Sequence, residues 1–502
     1  MNMNTTKIRS MLLLGGLAVA IGTAPATGQI TCEWFATGDG VSFEDTLNWL
    51  PNQLPGLLDE AKFDNAGSQT VNFATSPINT TASIENDTVQ FNLGVQTYTV
   101  TELIVGDRLT DVGILTVNGG NLVTTTTPAK IGRNSPASGS LIITGGATMT
   151  NQRDLQVGAR GDGYFQLDAG CTATSLISFL GKNPTATGDV LIRGSWTIQN
   201  SLLIGNDGTG TMTVDSGGDV FVGTEARVGD NLFSDGTLTI DGAGSTMTTT
   251  AATTIGNFGT GSLTVSNGGL LTTAQLKIAD DAPATVLVDG GTIVDSIGTG
   301  VGNRATGTLT LANGGTVQSP LVTVVPLGTI NGSGTIDGPL VNDGQINPGS
   351  GTGTLTVTGN FSQTLGILNI EIGGPNAGTD YDQLVVSGMA TLGGTLNVSL
   401  INGYNPSNDQ FVIFQGGTVT GAFGIENLPT GFTITYEADR VIVSIGGVCV
   451  ADFNNDGLLD FFDVLSFLDA FASGNPQADL NGDGLFDFFD VLTFLNFWSA
   501  GC

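Results

Sequence analysis

The chain has 502 residues, of which 76 are glycine, 12% are charged and none is histidine, and its formal net charge is −31. Glycine occurs at about twice its usual frequency, which predicts many tight turns and favours an all-β fold. The large negative charge argues against binding to nucleic acid and against docking on an anionic membrane, because both surfaces would repel the chain.

Residues 1–28 have the pattern of a secretion signal peptide. Lys7 and Arg9 form a basic start, residues 11–21 form an apolar core, and residues 26–28 offer small side chains for cleavage. The mature chain would then start near Gln29. The apolar run is too short to cross a membrane comfortably and no later run is long enough, so we expect an exported protein, secreted or at the cell surface, that does not span a membrane.

Residues 29–100 are predicted to form an N-terminal β cap. The segments W-F-A-T-G-D-G-V-S-F-E-D-T-L-N-W-L-P at residues 34–51 and D-E-A-K-F-D-N at residues 59–65 resemble an opening that is common at the mature start of bacterial β-solenoid surface proteins. Its aromatic residues Trp34, Phe43 and Trp49 have two possible roles. They would seal the open end of a solenoid, which is the commoner use of such rings, or form a platform on which sugars stack.

From residue 101 to residue 320 the chain repeats itself in nine copies, with a period of 22 to 27 residues. One anchor of the repeat is a β-branched or apolar residue followed by glycine, at residues 105–106, 131–132, 157–158, 204–205, 228–229, 255–256 and 301–302, with degenerate copies at residues 180–181 and 278–279. A second anchor, G-x-L-x-V/I-x-x-G-G, follows it in each copy. Short runs such as L-T-V and L-T-I place leucine and valine on one face of a strand and threonine on the other.

One such rung cannot bury its apolar face alone, whereas stacked rungs can, so the repeats predict a β-solenoid. The turn glycines would adopt positive φ or let neighbouring coils approach each other closely. At about 4.8 Å between strands, nine coils would make a rod roughly 40 Å long. The repeats resemble those of autotransporter passengers and related exported repeat proteins, with D-G-A-G-S-T-M at residues 241–247 as a good match. The resemblance implies a right-handed parallel β-helix.

Residues 321–447 change the pattern of the repeat. The runs G-T-I-N-G-S-G-T-I-D-G from residue 328 and I-N-P-G-S-G-T-G-T-L-T-V from residue 346 lead to Y-D-Q-L-V-V-S-G from residue 381. This region resembles the C-terminal stretch of autotransporter-type passengers. Because an open solenoid end is a row of unpaired strand edges, which natural proteins cover, we expect these residues to cap the rod.

Residues 448–502 contain two acidic twelve-residue loops, D-F-N-N-D-G-L-L-D-F-F-D at residues 452–463 and D-L-N-G-D-G-L-F-D-F-F-D at residues 479–490. Each places oxygen-bearing side chains at positions 1, 3, 5, 9 and 12 and glycine at position 6, which is the ligand spacing of a calcium-binding loop. The carbonyl at position 7 adds a ligand, and position 12 closes the shell. The sequence therefore predicts two Ca²⁺ ions, held by Asp452, Asn454, Asp456, the Leu458 carbonyl, Asp460 and Asp463 and by Asp479, Asn481, Asp483, the Leu485 carbonyl, Asp487 and Asp490.

Each loop runs into an amphipathic segment with apolar residues at helical spacing. The two copies share thirteen of 21 aligned positions, which indicates a duplicated half of an EF-hand. The pair resembles the dockerin family, the calcium modules that join extracellular proteins to cohesin partners, and especially the variety that ends in Gly-Cys, as residues 501–502 do here. This resemblance implies that the two-helix module contacts its partner through Phe461, Phe462, Phe488 and Phe489.

An alternative is that some of these rings, Phe461 and Phe488 above all, pack the two helices together. Dockerins of the cellulosome type usually carry small polar residues at the four positions. The expected partner is therefore a cohesin-like protein or another cell-surface protein.

Four cysteines are present. Cys449 and Cys502 flank the calcium module and are predicted to form a disulfide across its ends, since so small a module needs covalent support. Cys32 and Cys171 are left to pair by elimination. The absence of a C-x-x-C motif argues against a zinc or redox site.

Because polysaccharide lyases and glycosidases also use right-handed β-helices, an enzymatic role has to be weighed. No histidine is available as a base, and lysine and arginine are scattered singly along the rungs. Asp280 and Asp281 form the densest acidic pair in the array, for which a solvated turn is the simpler explanation. We therefore predict no catalytic residue.

The sequence favours a secreted, non-catalytic structural or adhesive β-solenoid protein, anchored to an extracellular or cell-surface partner through a calcium-dependent module. The alternative is a carbohydrate-active enzyme or a carbohydrate-binding protein that the same module carries to polysaccharide.

Overall fold

The computed structural model describes residues 29–108, 110–406, 409–445, 450–454, 456 and 458–500. This described part of the chain contains 45 β-strands and two C-terminal α-helices. The predicted signal peptide at residues 1–28 and the predicted Cys449–Cys502 disulfide lie outside the described residues.

The strands of the N-terminal end and the first coils are β1 (Thr31–Trp34), β2 (Trp49–Leu50), β3 (Glu60–Phe63), β4 (Ser68–Asn72), β5 (Ile78–Ile84), β6 (Thr88–Val105), β7 (Val112–Thr124), β8 (Ala129–Ile131), β9 (Ser138–Thr144), β10 (Thr148–Asn151), β11 (Leu155–Val157), β12 (Asp162–Leu167), β13 (Thr172–Ser175), β14 (Ser178–Leu180), β15 (Thr187–Ile192), β16 (Ser195–Ile198) and β17 (Leu202–Ile204). The middle coils contain β18 (Thr209–Val214), β19 (Asp219–Val222), β20 (Ala226–Val228), β21 (Asp235–Asp241), β22 (Thr246–Thr249), β23 (Ala252–Ile255), β24 (Thr260–Ser266), β25 (Leu270–Ile278), β26 (Ala284–Asp289), β27 (Thr292–Val301), β28 (Gly307–Ala312), β29 (Thr316–Gln318) and β30 (Val322–Val324).

The later coils and the C-terminal end of the rod contain β31 (Gly328–Gly332), β32 (Gly334–Asp337), β33 (Leu340–Asn342), β34 (Gln345–Pro348), β35 (Thr354–Val357), β36 (Phe361–Gln363), β37 (Ile367–Ile372), β38 (Gln383–Val386), β39 (Met389–Leu392), β40 (Thr395–Leu400), β41 (Gln410–Gln415), β42 (Thr418–Gly421), β43 (Ile425–Asn427), β44 (Phe432–Tyr436) and β45 (Arg440–Ile445). The helices are α1 (Phe461–Ser473) and α2 (Phe488–Ala500), and short 3₁₀ turns lie at Thr46–Asn48 and Pro476–Ala478.

The strands stack in parallel ladders, which confirms the predicted β-solenoid. For example, β12 pairs with β9 and with β15, so that Phe165 lies opposite both Leu141 and Val190. About 14 coils result. At about 4.8 Å per coil the rod is about 65 Å long. It is longer than the nine repeat copies predict because the same ladders continue through residues 321–421.

Alternation of apolar and polar residues explains why these segments form strands. In β18, Met212 and Val214 are buried while Thr211 and Thr213 lie at the surface. Pairing with β15 and β21 places Met212 between Val190 and Leu238, so aliphatic side chains form ladders inside the rod. One apolar core results, which extends from Cys32 in β1 to Val443 in β45.

The glycine of the first anchor has a specific packing role. Gly158 has a φ of +69°, and a Cβ atom there would lie closer than 3.0 Å to the Thr187 carbonyl oxygen on the next coil. A positive φ and the same lack of space for a Cβ atom against the next coil are also found at Gly106, Gly132, Gly181, Gly205 and Gly229. The anchor glycine therefore serves both the turn and the close approach of the next coil, as the sequence predicts.

An asparagine ladder runs along the outer surface of the last coils. It consists of Asn331, Asn347, Asn369, Asn397 and Asn427, one on each successive coil. Each side-chain N–H donates to the side-chain oxygen of the preceding asparagine, over N···O distances of 2.5–2.7 Å. Stacked amides polarise one another, so this ladder holds the register between coils in the region where the anchor motif is absent.

Replacing Asn369 by aspartate is expected to lower the free energy of unfolding by about 2 kcal/mol, because a carboxylate cannot donate to Asn347 and places two acceptors face to face. Equilibrium unfolding in urea measures the loss. Asn427→Asp is the matched control, since Asn427 is exposed and makes only one bond of the ladder, and it should cost less than about 1 kcal/mol. Equal losses from the two variants would show that the ladder does not hold the coils in register.

The aromatic residues of the N-terminal cap lie inside the rod. Trp34, Phe43 and Trp49 are each at most 1% exposed. The ring centroid of Trp49 lies 5.0 Å from that of Trp34 and 5.1 Å from that of Phe43. The Trp49 indole N–H donates to the Phe43 carbonyl oxygen at 2.9 Å. The sugar-platform alternative is wrong because burial leaves no ring face for a sugar, and the sealing role agrees with the structure.

Cys32 and Cys171 are buried and free, so their pairing by elimination is wrong. Cys32 belongs to β1, and the strand pairings place five coil spacings between β1 and β11, which precedes Cys171 on its coil. That separation is about 24 Å along the rod, whereas the Cα atoms of a disulfide lie within about 7 Å of each other.

The C-terminal end of the rod changes from parallel to antiparallel pairing. Strand β45 pairs antiparallel with both β41 and β44, and Phe411, Val441 and Val443 are fully buried beneath this hairpin. The hairpin covers strand edges that would otherwise be open. The prediction that residues 321–447 as a whole cap the rod is wrong for residues 321–421, because these residues add further parallel coils.

Candidate metal centre

The two C-terminal helices have their own apolar core. The rings of Phe467 in α1 and Phe494 in α2 stack with their centroids 4.2 Å apart and their planes 4° from parallel. Phe453 in the first loop contacts both rings edge-on. None of the helices in the described part of the chain is long and apolar enough to cross a membrane.

The first acidic loop is tied to the start of α1. Asp460 is the N-cap residue and accepts from the Phe462 N–H at 2.8 Å. Asp463 lies one turn on, is fully buried, and accepts from the N–H groups of Asp460 at 2.9 Å and Asn454 at 3.1 Å. This capping box explains why position 12 of the loop is also inside the helix: one carboxylate joins the loop to the helix.

The second loop repeats the main-chain hydrogen bonds that the described residues of the first loop make. Asp490 is fully buried and accepts from Asp487 at 2.9 Å and from Asn481 at 3.2 Å. Nearer the loop start, the Asp483 N–H donates to Asp479 and Asn481, as the Asp456 N–H does to Asp452 and Asn454 in the first loop. The duplication seen in the sequence is therefore a duplication of local structure.

All charged side chains of this module are acidic. Residues 450–500 contain nine aspartates and no lysine, arginine or histidine. Burial tends to raise the pKa of Asp463, but the N–H groups of Asp460 and Asn454 and the neighbouring Asp452 side chain outweigh it and hold the pKa below its ordinary value. The ionised Asp463 carboxylate is thus stabilised by main-chain N–H groups, and no basic side chain of the module shares its charge.

The donor set of each loop suits a hard cation such as Ca²⁺, since it consists of four carboxylates, one amide oxygen and one main-chain carbonyl. Among the residues that the structure describes, no group of three His, Cys, Asp or Glu side chains converges well enough to hold a metal ion. The carboxylates accept main-chain N–H bonds of their own loops instead. The two predicted ions and their twelve ligands remain a prediction.

All four phenylalanines at the helix starts are exposed. Phe461, Phe462, Phe488 and Phe489 are 60–68% exposed, so the alternative that Phe461 and Phe488 pack the helices together is wrong. That packing is done by Phe467 and Phe494, six residues further along each helix.

The exposed apolar surface is larger than the sequence analysis predicts, because four leucines at equivalent positions continue it, namely Leu465 and Leu468 in α1 and Leu492 and Leu495 in α2. Their helical spacing from Phe461 and Phe488 is the pattern that identifies them. Each helix therefore presents the same apolar face, here called the Phe-Leu face.

The acidic pair of the rod has a structural explanation. Asp281 accepts two hydrogen bonds from the Arg304 guanidinium at 2.8 and 3.0 Å, and Asp280 accepts from the Asn303 amide at 2.6 Å. Both partners belong to the next coil, so the pair joins two turns.

A second carboxyl, Asp382, lies in the later coils. Burial raises its pKa to about 7, against the lowering effect of the Glu371 and Gly353 N–H groups. Each of its two oxygens accepts one of those bonds and it is 2% exposed. Asp382 therefore clasps two main-chain segments inside the rod.

Comparison with models of known protein families gave no match, and no curated protein is significantly similar to the chain. The structure itself defines the class: a parallel β-solenoid followed by two equivalent loop–helix units.

Proposed function

We propose that this protein is a secreted, non-catalytic structural or adhesive β-solenoid, attached to an extracellular or cell-surface partner through a calcium-dependent, dockerin-like module. The observation that carries the proposal is the arrangement at each helix start. The acidic loop ends in a buried carboxylate, and an exposed Phe pair lies between loop positions 9 and 12. Ion binding and partner binding would thus use adjoining residues.

Calcium would supply the positive charge that the module lacks. In the first loop Asp452, Asn454, Asp456, the Leu458 carbonyl, Asp460 and Asp463 would hold the ion, and the corresponding six residues would do so in the second loop. Asp463 and Asp490 would then fix the loops to the helices, which orders the adjoining Phe pairs. Exposed apolar surface of this extent is typical of an interaction site.

In this proposal the rod acts as a spacer. Its outward residues are uncharged and polar in many strands, such as the threonines of β18. The partner would be cohesin-like or another cell-surface protein, recognised through its own apolar surface rather than through charge.

The test uses the full chain, immobilised with calcium or with chelator, and the extracellular and envelope proteins of the source organism. The expected result is capture of a defined partner in calcium alone. Because the two Phe-Leu faces are equivalent, replacing Phe461 and Phe462 by serine should lower affinity only about twofold, as one of two equal sites is lost. Replacing Phe488 and Phe489 as well should lower it at least about a hundredfold.

The matched control replaces Phe233 and Phe258, which are 91% and 52% exposed on the rod, and should leave capture unchanged. Capture that persists in chelator would contradict the proposal. So would a quadruple variant that binds the partner as well as the original chain does.

A further inference from the structure

A basic cavity lies on one edge of the acidic rod, at the turns that follow the apolar–glycine anchors. Its volume is about 360 Å³, and its lining includes Lys130, Arg133, Asn134, Gln156, Arg160 and Lys182. No acidic side chain is among the described residues that line it, although the whole chain has a net charge of −31. The cavity is therefore a local exception to the charge of the molecule.

Coil stacking brings these residues together. Arg133, Arg160 and Lys182 each follow an anchor glycine by one or two residues on three successive coils. The coils are about 4.8 Å apart, so the three turns lie within about 10 Å along the rod. Lys130 in β8 and Gln156 in β11 are register partners on neighbouring strands and form the adjoining wall.

The positive charge of the cavity is only partly neutralised. Lys130 pairs with Glu102 at 2.7 Å and Arg133 with Asp107 at 3.5 Å. Arg160 and Lys182 form no ion pair with any described residue, and the Lys182 ammonium lies 4.3 Å from the centre of the Phe179 ring. Burial, and also repulsion by Lys130, hold the pKa of Lys182 below its ordinary value, against the opposing effect of Asp154 and Asp207.

Gln156 adds an amide without a protein partner to the cavity wall. The residue is 7% exposed, and its side-chain amide makes no hydrogen bond to any residue in the described part of the chain. Neither polar atom of this amide is among the buried atoms that lack a partner, so the amide reaches the solvent of the cavity. Since Gln156 lines the cavity, its donor and its acceptor are available to a polar ligand.

We propose that this cavity binds the carboxylate or sulfate group of an acidic polysaccharide that lies along the rod. Arginine and lysine bind such groups through charge-assisted hydrogen bonds. The Gln156 amide suits sugar hydroxyls, and so does the side-chain oxygen of Asn134, whose amide nitrogen already donates to Asp107. The acidic rod on either side would repel a dense polyanion such as duplex nucleic acid. A polymer whose acidic groups are separated by neutral hydroxylated units avoids that repulsion. This site goes beyond the calcium-dependent attachment and does not depend on it.

The experiment titrates the full mature chain in chelator, so that calcium cannot bridge two acidic partners. The probes are a polysaccharide in which uronic acids alternate with neutral sugars, one in which sulfated units alternate with neutral sugars, polyaspartate and neutral dextran. Calorimetry at low and at physiological salt measures binding. We expect one or both acidic polymers to bind, more weakly as salt rises, and dextran not to bind. Arg160→Gln and Lys182→Gln should each weaken binding about tenfold, and the double variant about a hundredfold.

Two further variants separate a specific site from general charge attraction. Gln156→Leu leaves the charge unchanged and should weaken binding about fivefold. Arg304→Gln removes one positive charge, as Arg160→Gln does. Arg304 is exposed, pairs with Asp281 and lies on a coil far from the cavity, so this variant should leave the affinity within about twofold.

Three outcomes would overturn the proposal: no binding of either acidic polymer at low salt, an equal loss in Arg304→Gln, or tighter binding of polyaspartate, which would assign the cavity to an acidic polypeptide.

Discussion

Removing calcium should unfold the C-terminal module and leave the rod folded. The module brings nine carboxylates together with no basic side chain, and its core is a small cluster around Phe467 and Phe494, so its stability would depend on the bound ions. The rod has its own continuous core. In a chelator titration of the full chain, far-ultraviolet circular dichroism should lose its helical component, because α1 and α2 are the only α-helices among the described residues. The β-sheet component should not change.

Single substitutions at position 12 should separate the two loops. Asp463→Ala and Asp490→Ala are each expected to lower the calcium affinity of their own loop at least about a hundredfold, because each removes both a ligand and the carboxylate that joins loop to helix. Calorimetry should then count one ion in either variant and two in the original chain.

Asp469→Ala is the matched control. It removes the same charge from an exposed position of α1 outside the loops and should leave both ions bound. A helical signal that is insensitive to chelator, or two ions retained in Asp463→Ala, would show that the loops do not bind calcium in the predicted way.

The β-solenoid could be predicted because its cause is local. Alternation within six residues decides which side chains point inward, and the anchor glycine marks each turn. The number of coils could not be predicted, because the spacing between equivalent residues drifts. Successive members of the asparagine ladder are 16, 22, 28 and 30 residues apart. Stacking requires matched strands but tolerates turns of different length, so the ladders continue where no repeat can be recognised.

The two candidate sites also differ in whether their residues are close together in the sequence. All twelve predicted calcium ligands lie within two short loops, so their spacing alone defines them. The basic cavity is assembled from Arg133, Arg160 and Lys182, which are 27 and 22 residues apart and look like scattered single charges in the sequence. Their shared position just after the anchor glycine would have revealed the cluster. For Cys32 and Cys171, pairing by elimination predicts a contact that does not exist, because it ignores the coil on which each residue lies.

Replacing Gly158 by alanine should be among the most destabilising single substitutions in the rod. Its φ of +69° costs an alanine about 1 kcal/mol, and the new Cβ would lie closer than 3.0 Å to the Thr187 carbonyl on the next coil. Because the obstacle is backbone, the coils must separate locally, which should add about 3 kcal/mol. Equilibrium unfolding in urea measures the total.

A substitution at Gly146 separates the conformational cost of that loss from the steric cost. Its φ is +76°, close to that of Gly158, but a Cβ there would have no atom within 4 Å. Gly146→Ala therefore carries only the conformational cost and should lower the free energy of unfolding by about 1 kcal/mol. A gap of several kcal/mol between the two variants would mean that the approach of neighbouring coils selects glycine at the anchor. If both variants lose the same amount, the turn conformation alone selects it, and close coil approach does not explain the repeat.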